Sequence, residues 1–148
     1  MNRKWIRYLL MTLLIIFVSV LLGYTGNRIQ ASYYRFEFNY GYLLIDFLLG
    51  ISLGLILGFE HLITEKRKTG IWRINYPKLL LVGLTALYFS ISGLLIYGSN
   101  QTIMRILAYP FAWLIRFGIA PTNIFQLILG YIIITSFYKY NEQSEAGE

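Results

Sequence analysis

The sequence predicts an all-α membrane protein, with four transmembrane helices and one interfacial or re-entrant helix between the third and fourth spans. Three observations carry that expectation. Hydrophobic residues make up 57% of the 148 positions and charged residues only 14%, against about 45–50% and about 25% in globular domains. Four apolar stretches near the roughly 20 residues needed to cross a bilayer occupy over half of the chain, leaving no room for a soluble catalytic domain of ordinary size. The basic residues behind the net charge of +6 flank those stretches and line no single polar face. That is the pattern of membrane insertion, and it argues against nucleic acid as a partner.

The first run, about 6–24, follows Arg3, Lys4 and Arg7 and is broken only by Thr12, Ser19 and Gly23. It is long for the apolar part of a signal peptide, and no small-x-small cleavage site follows it cleanly, so a retained helix is expected. The second run, about 42–63, carries Asp46 near its start and Glu60 and His61 near its end, with uncharged residues between the two acids. At about 1.5 Å per residue the acids lie roughly 20 Å apart, near opposite rims of an apolar core about 30 Å thick. The third run, about 77–98, opens on Pro77, which the first turn of a helix tolerates. The fourth, about 121–139, is interrupted as far as Tyr138 only by uncharged polar residues such as Asn123, Gln126, Thr135 and Ser136.

Between the third and fourth runs, Arg105 and Arg116 bracket ten apolar residues within a segment at about 102–117. Ten helical residues reach about 15 Å, half a bilayer, so the segment is expected to lie in the interface or re-enter it; a fifth span is the alternative. Counting Lys and Arg with both termini cytoplasmic places nine on the inner side and four on the outer. The positive-inside rule then favours four spans in a multi-pass protein of the cell membrane. The scarcity of alanine beside abundant Ile, Leu, Tyr and Phe suggests an AT-rich bacterial genome. Residues 1–140 read as one integral membrane domain, followed by an acidic tail, 141–148, expected to be disordered.

Gly50, Gly54 and Gly58 form two overlapping GxxxG spacings, a shallow groove in which another helix backbone can approach closely. Gly83, Ala86, Ser90 and Gly93 form a second small-residue stripe, so the third run is the expected partner of the groove. On a helical wheel Asp46, Glu60 and His61 fall near the glycine side of the second run. Ionisable groups inside a membrane mark functional sites by default, which makes Asp46 a candidate for ion or proton binding. The structural alternative is a pair with Arg35, Arg105 or Arg116. Tyr34, Phe36, Phe38 and Tyr40 alternate with polar residues, the period of an extended segment with one aromatic face, suited to anchoring at the outer interface.

Zero cysteines and one histidine exclude disulfides, thiolate metal sites and His-rich centres. No HExxH or P-loop motif occurs, so neither an enzyme nor a cofactor is expected. The expected function is helix–helix association in the lipid bilayer, with a membrane-protein partner or a second copy, as an accessory, regulatory or assembly component. The alternative is an oligomeric ion- or proton-coupled transporter or channel subunit using Asp46.

Overall fold

A computed structural model describes residues 3–35, 39–96 and 122–140. The chain is mostly helical and contains two helices long and apolar enough to span a membrane. α1 runs Arg3–Tyr34 and α2 runs Tyr40–Arg67. A short helical turn, α3 (Tyr76–Lys78), leads through a π-helical segment, Leu79–Gly83, into α4 (Leu84–Ile96). α5 spans Thr122–Thr135. Two short strands, β1 (Ile71–Ile74) and β2 (Phe137–Tyr140), pair antiparallel with Ile71 opposite Tyr140 and Ile74 opposite Phe137.

α1 continues ten residues beyond the expected end of the first span at about 24. Its 32 residues extend about 48 Å, well past an apolar core of about 30 Å. Gly23 and Gly26 do not break it, and Thr25 and Ser32 satisfy their hydroxyls on carbonyls of the preceding turn. α2 begins where Asn39 caps it, its side chain accepting from the Gly41 N–H at 3.0 Å. It ends at Lys68, and Gly70 turns the chain towards β1 at φ 137°, where an L side chain would be strained. Pro77 occupies the first turn of α3, as expected, with the Asn75 side chain accepting from the Lys78 N–H at 3.1 Å.

The helices pack in the order α1–α2–α5–α4, with only light contact between α2 and α4. α2 and α5 run parallel: Gly50 lies against Gln126, Gly54 against Leu127 and Gly130, and Gly58 against Ile134. α1 runs antiparallel to α2, since Tyr8 reaches Glu60 while Thr25 reaches Asp46. α4 runs antiparallel to α5: Phe89 stacks on Phe125 at 4.6 Å, and Gly83 faces Ile132. The seams are lined by small side chains. Ala86, Ser90 and Ser136 are each almost wholly buried, and both serines donate to a carbonyl of their own helix at 2.6 Å. Lipid removes most of the hydrophobic drive between helices, so close backbone approach and dispersion must hold such seams.

Three expectations are corrected here. The glycine groove is filled by α5, the fourth run, and not by the third. The fourth run leaves the helix at Thr135, short of the expected 139, because Phe137–Tyr140 pairs with β1. The aromatic alternation is not an extended strand at its ends: Tyr34 closes α1 and Tyr40 opens α2. Phe36, Phe38, the segment at 102–117 and the tail 141–148 lie outside the described residues.

Candidate functional site

The polar groups that the helices bury gather at two places. At one end α2 contributes Asp46, six residues after its start and only 8% exposed. Thr25 of α1 and Gln126 of α5 flank it, both more than nine-tenths buried. The Thr25 hydroxyl lies 3.3 Å from Asp46 Oδ1 and 3.0 Å from the Leu22 carbonyl. Gln126 Oε1 is buried without a partner and sits in the space that Gly50 leaves open.

One hydroxyl proton cannot serve two acceptors. When Thr25 donates to Leu22, a protonated Asp46 can donate to Thr25 Oγ1; when Asp46 is ionised, the Thr25 hydroxyl can donate to it. The site can therefore hold either protonation state with hydrogen bonds in place. Arg35, an expected partner, forms no ion pair with Asp46, and Arg105 and Arg116 lie outside the described residues.

At the opposite end the acid that matters is Glu65, only 4% exposed. It lies beyond residues 42–63, in the last turn of α2. Its Oε2 accepts the Lys139 backbone N–H at 3.0 Å and its Oε1 accepts from the Lys68 ammonium. Those two donors, the Lys139 N–H foremost, hold its carboxyl below the usual carboxylate range. The Lys139 ammonium donates to the Lys66 and Lys68 carbonyls at 3.2 and 2.7 Å, and Lys78 donates to the Thr135 carbonyl at 3.2 Å. Two lysines thus cover the negative ends of α2 and α5. The ribbon is braced by Lys139 over the Trp72 ring and Arg73 over the Tyr140 ring.

The remaining candidates divide. A Cβ on Gly54 would fall on the Leu127 carbonyl and 2.6 Å from the Tyr131 nitrogen, and one on Gly58 would collide with Ile134. These glycines, with Gly50, are packing residues. Gly83 has looser neighbours, 3.5 Å from Leu79 and 3.6 Å from Ile132, while Ala86 and Ser90 are buried in the α4–α5 seam region. Gly93 lies in α4, where the side-chain surroundings fall outside the described residues.

Glu60 does not share the groove, contrary to the wheel. It faces α1, accepting from the Tyr8 hydroxyl at 2.7 Å and pairing with Arg7 at 3.4 Å. His61 Nε2 lies 3.2 Å from the Phe137 carbonyl, at the ribbon. Sequence reasoning missed Thr25, Gln126, Gly130 and Glu65. Gln126 and Gly130 were visible as a polar residue and a glycine four apart in an apolar run. Lys68 is a local partner of Glu65, but the Lys139 N–H that completes its site comes from 74 residues away.

Comparison with protein families, curated proteins and solved structures gave no significant match. The class is therefore defined by the chain itself, as a mostly helical protein with two apolar helices of membrane-spanning length.

Proposed function

We propose that the chain is a four-span protein of the cell membrane, with both termini cytoplasmic, that acts by associating with another membrane helix as an accessory or assembly component. The order of helices carries this reading. A single row, α1–α2–α5–α4, leaves its broad apolar faces uncovered among the described residues, and α1 is the extreme case: its apolar window is only 6% buried and it packs substantially on α2 alone. The alternating directions of the helices support the topology. They put Arg7, Glu60, Glu65, Lys78 and Lys139 at one end of the molecule, where the positive-inside rule expects the cytoplasm.

Because α5 fills the glycine groove, the surface left for a partner is the outer face of α1, where Leu13, Phe17 and Val20 are more than half exposed. The test is purification in mild detergent and in nanodiscs, reading native mass and partner identity. A stoichiometric complex or homo-oligomer is expected, and Leu13→Ala, Phe17→Ala and Val20→Ala together should weaken it about tenfold with folded yield unchanged. A wild-type protein that is monomeric and partner-free in both media would sink the reading.

The buried Asp46 favours a second reading, an ion- or proton-coupled subunit. A row of four helices encloses no pathway of its own, so this version requires an oligomer. In proteoliposomes Asp46→Asn would then abolish flux at unchanged protein level.

A further inference from the structure

Arg28 stands in the last two turns of α1, and Arg35 lies in the turn that follows its end at Tyr34. Both line a cleft of about 620 Å³, closed on the other side by the start of α2 at Asn39, Tyr40 and Tyr42. The volume is in the range of small-molecule sites, about 300–1,000 Å³. Among the described residues no acidic side chain lines the cleft, and neither arginine forms an ion pair.

Arg28 is held in place. Its Nε and Nη2 donate to the Tyr24 hydroxyl at 3.1 and 2.9 Å, and its guanidinium lies 5.2 Å from that ring's centre, which leaves the Nη1 edge to face a ligand. Asn39 is oriented as well: its Oδ1 is engaged by the Gly41 N–H, so its amide protons remain as donors. Two guanidinium groups and an amide, with no carboxylate beside them among the described residues, match an anion with several acceptor oxygens.

We propose that this cleft binds a phosphate group, clamped between Arg28 and Arg35. The site stands on its own geometry. Its natural occupant rests on the membrane reading, in which Tyr24, Tyr40 and Tyr42 lie at headgroup level and the phosphate belongs to a phospholipid; a soluble phosphate ester presents the same chemistry.

The experiment is thermal unfolding of the purified full chain in a neutral maltoside detergent, titrated with phosphatidylglycerol in one arm and glycerol phosphate in the other. At least one probe should raise the midpoint in a saturable manner. Arg28→Gln and Arg35→Gln, both at exposed positions, should each weaken the apparent Kd about tenfold, while Lys66→Gln, Arg67→Gln and Lys68→Gln together should leave it unchanged. Saturation by phosphatidylglycerol alone assigns the site to a headgroup, and saturation by both probes assigns it to phosphate esters generally; either supports the clamp. The proposal is overturned if neither probe binds, if the arginine variants bind as the wild type does, or if binding appears only in Glu37→Gln. That last result would mean that the chain's own carboxylate occupies the arginines.

Discussion

α2 touches its two neighbours in different ways. Against α5 it brings backbone to backbone: Gly50, Gly54 and Gly58 on one helix and Gly130 on the other leave no room for a Cβ, and a Cβ on Gly130 would fall on the Ile51 carbonyl. Against α1 the contact runs through side chains, with Val18 and Thr25 buried and Tyr8 and Arg7 reaching across to Glu60. Gly23 and Gly26 on α1 meet nothing within 4 Å. The same residue type is thus a packing element in one helix and a bystander in the other, and what distinguishes them is whether a second backbone arrives.

The largest effect expected from breaking this contrast is at Gly54. Gly54→Leu forces α2 and α5 apart along their whole contact, and should cost about 3 kcal/mol, the upper end of overpacking penalties, read as lost folded yield and a lowered unfolding midpoint in detergent. Gly26→Leu, an identical change on α1, should leave both unaltered. Equal losses from the two would show that the approach of the α5 backbone is not what makes Gly54 sensitive to bulk.

A middle-sized effect is expected at the Glu65 end. Glu65→Gln removes the charge that Lys139 and Lys68 address, and should cost about 1 kcal/mol at neutral pH. Because the folded-state carboxyl titrates below its ordinary value of about 4.3, its contribution is complete above that value and is lost as the pH falls through the lower, folded-state value. The wild type should therefore lose its advantage over Glu65→Gln below about pH 4. A difference between the two that is independent of pH would remove the charge from the explanation.

The smallest effect is expected where α1 meets α2 at the rim. Glu60→Gln breaks an ion pair whose carboxylate is half exposed, and should shift stability by no more than about 0.5 kcal/mol. A larger loss would mean that α1 is fastened more firmly than its side-chain contacts indicate.

Much of the helical content was legible in the residues. The second run was placed to within a few residues because its apolar length is a local signal. The packing role of Gly50, Gly54 and Gly58 was legible for the same reason, since a four-residue spacing in a helix defines a groove whatever fills it. Its occupant was not legible. The stripes on the third and fourth runs are equally smooth, and only the parallel alignment of α2 with α5 brings Gly130 to Gly54 and Gln126 to Gly50. The ribbon escaped detection because each strand is four residues long and pairs across more than sixty positions of chain.

By itself, then, the sequence determined the elements that depend on composition and spacing: the mostly helical character, the two apolar helices of spanning length and the glycine groove. The tertiary structure decided what depends on contact between distant segments. It placed α5 in the groove, set Thr25 beside Asp46 and Gln126 against Gly50, gave Glu65 its Lys139 donor and brought two basic residues to the lining of one cleft. Helix formation is satisfied within a few residues of chain, whereas a hydrogen bond to a buried carboxyl or the approach of two backbones is fixed only when the helices have chosen their neighbours.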